Sequence, residues 1–256
     1  MGKNYKSTIN IKKMKNDFNV KTKERINPKI YQSGYLVLKA ILSDIRFFSR
    51  LIRKQRAKNI LDLGCGVKPY ESIFSFADKF VGFDVEKNDR VDDIGLNWNL
   101  PYKDNEFDAL ITTQVLEHTA KLKETIQEIR RVVKKDGLIF VSVPMTFPIH
   151  GAPYDYYRFT QYGLKEIFKD FDIIKIIPSS GYIATQIRLI NIFLSHFFLA
   201  QYLFFPIFLF NNILAIIADN FIKFILKLGG VRGNFIYQKI YMSLPENYSL
   251  ILKNKK

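Results

Sequence analysis

The chain has one cysteine, Cys65, in 256 residues. No intrachain disulfide can form, and a zinc site built on several thiolates is excluded. No metal ligands are assigned from the sequence. The opening residues, MGKNYKSTINIKKMKNDF, hold no apolar run, so no secretory signal peptide is expected. Lys6 stands where an N-myristoylation pattern needs Ser or Thr. These absences lead us to expect an intracellular protein. No internal repeat is visible.

Acidic residues are scarce, 24 against 39 Lys and Arg, and the formal net charge is +15. Residues 1–58 carry a net +13, residues 59–180 a net −4 and residues 181–256 a net +6. A basic arm on a mildly acidic middle suits a polyanionic surface, either nucleic acid or anionic lipid. Hydrophobic residues make up 48% of the chain and aromatics 15%, enough for a sizeable core.

Residues 1–30 lack apolar periodicity and are expected to be a flexible basic arm. The remainder, 31–256, reads as one domain. Leu38, Ile41, Ile45, Phe48 and Ile52 fall at helical spacing, predicting an amphipathic helix that ends near Lys58. It could pack on the domain or lie on a membrane, and packing is the expectation. From Asn59 strands and helices alternate. NILDLGCG, KFVGFDVE, FDALITTQ, GLIFVSVP and FDIIKIIP read as strands. KLKETIQEIRRVVKK and TQYGLKEIFKDF read as helices. That order predicts a parallel sheet covered by helices on both faces.

The first strand runs into Gly64 and Gly66, which let the backbone turn sharply and a ligand approach it. Asp84 closes the second strand, 20 positions after Gly64, where a carboxylate can accept from two ribose hydroxyls. Pro69 occupies the third glycine position of G-x-G-x-x-G, and no Gly-Lys-Ser/Thr follows. The expected ligand is therefore a nucleoside without a pyrophosphate.

Five segments now stand in order: ILDLGCG, VGFD, LPYKDNEFD, VLEH and IRRVVKKDGLIFVSVP. Together they resemble class I S-adenosylmethionine-dependent methyltransferases, over about Asn59–Ser180. The resemblance implies an α/β, Rossmann-like, doubly wound seven-stranded sheet with an antiparallel last strand, and S-adenosylmethionine as cofactor. It implies that Asp62, Gly64, Cys65 and Gly66 line the methionine part of the cofactor and that Asp84 holds the ribose. Leu100, Pro101, Asp104, Phe107 and Asp108 match the segment entering the fourth strand. Gln114, Leu116, Glu117 and His118 match the stretch under the sulfonium. The family's adenine-binding acid has no clear counterpart. Gly95 stands near its place, Asp92, Asp93 and Asn97 are neighbours, and Asp93 is the stand-in chosen.

An activated sulfonium methyl needs alignment more than covalent help, and a hydroxyl acceptor also needs a base. PIHGAPYDYYRFT follows the fifth strand at the binding edge. His150 and Asp155 are the candidate proton acceptors. Tyr154, Tyr156, Tyr157 and Arg158 are candidate substrate contacts. Thr160 reads as a helix N-cap. The loop resembles one in bacterial methyltransferases linked to surface-glycan assembly.

NYSLILKNKK suits the antiparallel last strand, which makes residues 182–245 an apolar helical insertion between strands six and seven. Ile192–Phe210 would be barely long enough as a helix to cross a bilayer core of roughly 30 Å, and Pro206 interrupts it. Ile213–Leu228 reads as amphipathic and not spanning. The insertion is then a lid, a dimer interface or a monotopic hairpin on a membrane. The leading expectation is a membrane-associated methyltransferase, cytoplasmic and peripheral to the inner face of the cell membrane. Its acceptor would be a glycan or lipid-linked hydroxyl, and anionic lipid would be its partner. An RNA methyltransferase gripping phosphates with the arm, or a non-catalytic binding protein on the same fold, are the alternatives.

Overall fold

A computed structural model describes residues 22–196, 204–241 and 243–256. Seven strands form one sheet: β1 (Asn59–Leu63), β2 (Lys79–Asp84), β3 (Asp93–Ile94), β4 (Phe107–Thr113), β5 (Val133–Pro144), β6 (Phe171–Pro178) and β7 (Asn247–Asn254). Their order is β3-β2-β1-β4-β5-β7-β6. β7 is antiparallel to both neighbours, and the other pairings are parallel. The expected sheet is therefore present. β3 is two residues long, too short to leave a period-2 pattern.

The amphipathic pattern after residue 31 forms α1 (Tyr35–Lys54), which buries Ile41, Ile45, Phe48 and Ile52. These side chains join Ile60, Ile111, Phe140 and Ile251 in a core on one sheet face, so α1 packs as expected. α2 (Leu122–Val132) and α3 (Gln161–Ile167) cover the other face through Ile126, Ile129, Leu164 and Phe168. Thr160 is the N-cap of α3, its Oγ accepting from the Gly163 N–H at 3.1 Å. β5 starts four residues before the expected GLIFVSVP. Its extra residues pair Val133 with Phe107 across a register shift, and Asp136 turns with φ +64°.

The insertion consists of α4 (Tyr182–Ser195), α5 (Phe205–Leu228) and α6 (Gly230–Tyr241). Two expectations about it are corrected. α4 closes at Ser195 with His196 as its C-cap, and α5 opens at Phe205 with Pro206 in its first turn, where a missing N–H costs nothing. And Ile213–Leu228 is no separate amphipathic segment, because it continues a 24-residue helix long and apolar enough to cross a membrane.

Residues 1–21 of the expected arm lie outside the described residues. Residues 22–26 form a helical turn. Ile30 and Gln32 offer their carbonyls to the Asn212 side-chain amide on α5, at 2.6 and 2.9 Å. The flexible arm expected over 1–30 thus gives way to built structure by residue 22.

Candidate active site

The carboxyl ends of β1, β2, β4 and β5 converge on one edge. After β1 the chain turns through Gly64 at φ +73° and Gly66 at φ +52°. A Cβ on Gly64 would overlap the Val115 side chain, so the close approach of the two loops also requires glycine. The N–H groups of Gly64 and Cys65 bond the Phe83 carbonyl at 2.8 and 3.1 Å. Asp84 fixes the rest of the turn, accepting from Gly66 N–H at 2.7 Å and Glu86 N–H at 3.1 Å.

Asp62 is buried, and burial pushes its carboxyl up to about 7 against the pull of Arg25 and Lys68. Its Oδ2 has no hydrogen-bond partner among the described residues. Arg25 donates to the Tyr70 hydroxyl, so a basic residue from the expected arm stands beside the glycine turn. Burial also pushes the Cys65 thiol upward, which leaves it an inert packing group. Lys68 is buried, ion-paired to Asp92, and bonded to the Phe80 carbonyl at 3.3 Å.

Asp93, the chosen adenine stand-in, already accepts the Tyr102 hydroxyl on one carboxylate oxygen at 3.0 Å. Asn97 is the better candidate. It is buried, its amide reaches Thr119 Oγ1 at 3.4 Å, and its Oδ1 is unpartnered.

After β4, Gln114 holds φ +58° and donates its amide to Ser142 Oγ (3.1 Å) and Asn247 Oδ1 (2.6 Å). Leu116 is core. Glu117 is fully buried, neither carboxylate oxygen has a hydrogen-bond partner, and burial raises its pKa to about 7. His118 sets Nδ1 against the Tyr154 carbonyl at 2.7 Å.

The loop after β5 folds back over this group. The N–H groups of Tyr156 and Tyr157 bond the Glu117 carbonyl at 2.8 and 3.3 Å. The His150 and His118 rings stand edge to face, with centroids 4.7 Å apart. Tyr154 and Tyr156 are exposed and Tyr157 borders on exposure. Two expectations fail here. Asp155 accepts two guanidinium hydrogen bonds from Arg158, at 2.7 and 2.8 Å, and the His150 N–H at 2.8 Å. Those bonds hold its carboxyl far below the usual range, so it takes no proton near neutral pH. Arg158 is likewise engaged, donating to the carbonyls of Phe147, Pro148 and Tyr157. The pair braces the loop.

The segment entering β4 is structural. Asp104 pairs with Arg131, and Asp108 with Lys134 and the N–H groups of Lys58 and Asn59. Leu100 and Phe107 are buried, and Pro101 lies in the exposed turn between them. The site also holds Arg25, Lys68 and Tyr70, which no sequence pattern marks. A cavity of about 990 Å³ lies elsewhere, walled by Met145, Thr160, Tyr162, Ile174, Phe235 and Lys239. We place the chemistry at the converging loops because the glycine turn, Asp84 and the buried, unpartnered oxygens of Asp62, Asn97 and Glu117 meet there.

A sheet in this order, with β7 antiparallel between β5 and β6 and a glycine turn after β1, is the class I methyltransferase fold. Residues 61–141 match the family described as a methyltransferase domain. The chain is 31% identical over 110 residues to the mitochondrial ubiquinone biosynthesis O-methyltransferase of Dictyostelium discoideum, covering 33% of this chain and 34% of that one. It is 28% identical over 109 residues to an uncharacterized protein of Methanocaldococcus jannaschii, covering 40% and 48%. The chain thus spans about a third to a half of the length of these curated relatives. Among solved structures, the [4+2]-cyclase SpnF aligns with a TM-score of 0.50 at 18% identity, covering 82% of this chain and 80% of that one, a likeness of fold. Residues 61–141 thus carry a methyltransferase domain on the class I fold, and S-adenosylmethionine is the methyl donor that domain implies.

Proposed function

We propose that the protein transfers a methyl group from S-adenosylmethionine to a hydroxyl of a glycan or lipid-linked acceptor at a membrane face. The residues fit the donor. Asp62 offers an unpartnered buried oxygen for a cationic amine, Arg25 a guanidinium for a carboxylate, Asp84 a half-buried carboxylate for hydroxyls, and Asn97 an unpartnered oxygen for an amine. The bound donor supplies an electrophilic methyl on a sulfonium. The protein must align the acceptor oxygen, keep water out and deal with the hydroxyl proton. With Asp155 tied to Arg158, the groups able to do the last are Glu117, His118 and His150.

The observation that carries the membrane reading is the inverted pattern of α5. Its buried stripe is Phe208, Asn212, Ala215 and Asp219. Asn212 bonds Asn191 of α4 (3.2 Å) and two carbonyls before α1, and Asp219 accepts the Gly181 N–H (3.0 Å). The outward faces carry Phe210, Ile217, Phe221, Phe224 and Leu228, all exposed by 59% or more. A helix in water places polar residues outward. This one pins Asn212 and Asp219 inward and, beside exposed Asn220, Lys223 and Lys227, presents mostly rings and aliphatics, an arrangement that suits acyl chains under a headgroup layer. The net charge of +15 favours an anionic headgroup layer. Arg188 of α4 pairs with Glu246 just before β7 at 3.1 Å and reaches the loop after β5 by lying over the Phe147 ring, which meets His150 at 4.9 Å.

Label transfer tests the reading. The protein is incubated with methyl-labelled S-adenosylmethionine and a lysate of its source, then fractionated. Label in the lipid or lipid-linked glycan fraction is expected. Label confined to RNA would overturn the membrane-side acceptor and make the basic arm a phosphate grip.

A further inference from the structure

We propose that Glu117, His118 and His150 form a binding site for a divalent transition-metal cation, placed to draw in an oxygen ligand from the acceptor. The role in transfer rests on the function proposed above, whereas the site itself rests on geometry. One ligand atom from each of the three side chains lies within 4.8 Å of the others. Ligands about 2.1 Å from one cation stand roughly 3–4.2 Å apart, so a small inward movement completes the set. Glu117 is fully buried, yet among the described residues neither of its oxygens has a hydrogen-bond partner, and His118 Nε2 stops 3.9 Å from Oε1, beyond hydrogen-bond reach. A buried carboxylate with no partner calls for an occupant.

The surroundings are those of metal ligands. His118 has Nδ1 2.7 Å from the Tyr154 carbonyl, and His150 has Nδ1 3.2 Å from the Pro148 carbonyl. Protons donated to those carbonyls leave each Nε2 with its lone pair, which is how ligating imidazoles are commonly oriented. Arg158 Nη2 stands 3.4 Å from His150 Nδ1, but its closer bonds are to Asp155 Oδ2 at 2.8 Å and the Pro148 carbonyl at 2.9 Å. Two imidazoles and one carboxylate suit Zn²⁺, Mn²⁺ or Fe²⁺ better than Mg²⁺ or Ca²⁺, which prefer oxygen shells. Three protein ligands leave positions open. An acceptor hydroxyl taken there would lose its proton to solvent more readily, which removes the need for a strong side-chain base. The ligands come from two segments, His118 and His150 standing 32 positions apart, so no sequence spacing announces them.

The test is calorimetric titration of the metal-stripped full chain with Zn²⁺ and, separately, Mn²⁺, alongside titration with S-adenosylhomocysteine. One cation per chain is expected, with affinity at least tenfold weaker in Glu117→Gln and in His150→Ala. His196→Ala, at the third histidine of the chain, should bind as the parent does. No saturable binding by the parent chain, or equal binding by Glu117→Gln and His150→Ala, would overturn the site and leave Glu117 as a neutral buried acid. Cation binding without any S-adenosylhomocysteine binding would uphold the site and sink the function proposed above.

Discussion

Asp155 and Glu117 belong to the same loop cluster and are driven in opposite directions. Hydrogen bonds from Arg158 hold Asp155 ionised, whereas burial favours the neutral form of Glu117. One is a brace, and the other has unused bonding capacity. Asp84 is a brace as well as the proposed ribose contact, since it pins the N–H groups of Gly66 and Glu86 from the end of β2. Asp84→Ala should therefore weaken S-adenosylhomocysteine binding at least tenfold, about 1.4 kcal/mol, by calorimetry. Unchanged affinity would remove Asp84 from the site. The motifs marked Asp62, Gly64, Gly66, Asp84 and Glu117 correctly as neighbours of one edge, because strand ends carry them there. They did not show that Asp93, Asp155 and Arg158 would be engaged within the protein, because those hydrogen-bond partners depend on loop paths that residue type does not encode. Arg25 and Lys68 left no trace in the sequence, since each acts through a contact made only by folding.

α5 shows how a helix can be legible in period and mistaken in orientation. Asp219, Lys223 and Lys227 suggested a wet face over Ile213–Leu228. In the structure Asp219 turns inward to the Gly181 N–H, and Lys227 stands in the last turn, where a cation suits the helix dipole. Which face is wet was set by partners in α4 and before α1, distant in sequence. The strands and α1–α3 were readable because their periodicity reports burial against a single sheet. Replacing Phe210 and Phe221 together by Ser should reduce co-sedimentation with anionic vesicles several-fold, while the melting temperature changes little. Both side chains are more than 60% exposed, so little packing is lost. Unaltered vesicle binding would count against α5 as the membrane contact.

Stability of the entire chain should fall as pH rises. Burial lifts Asp62 and Glu246 to about 7 and Asp44 to about 6, from ordinary values near 4. Between those limits the folded state binds more protons than the unfolded one. The stabilisation is full below the unfolded pKa and is lost as pH climbs through the folded pKa. The ligand-free protein should melt several degrees lower at pH 8 than at pH 5, and Asp62→Asn should shrink the difference. A melting temperature that rises over this range would show that these acids are ionised in the folded protein at low pH.

β7 lies between β5 and β6 but follows α4, α5 and α6 in the chain. β6 therefore has no neighbour in the sheet until β7 arrives. During synthesis, strands β1–β5 can assemble first, while β6 emerges without a strand to pair with and the oily helices have only contacts such as Asn212 to the carbonyls before α1 and Arg188 to Phe147. A nascent chain in that state displays Phe210, Phe221 and Phe224 before the last strand locks the ensemble together. Whichever surface captures the helices in that interval, a bilayer or a chaperone, meets them ahead of the finished enzyme, so the site of translation would set where the protein ends up.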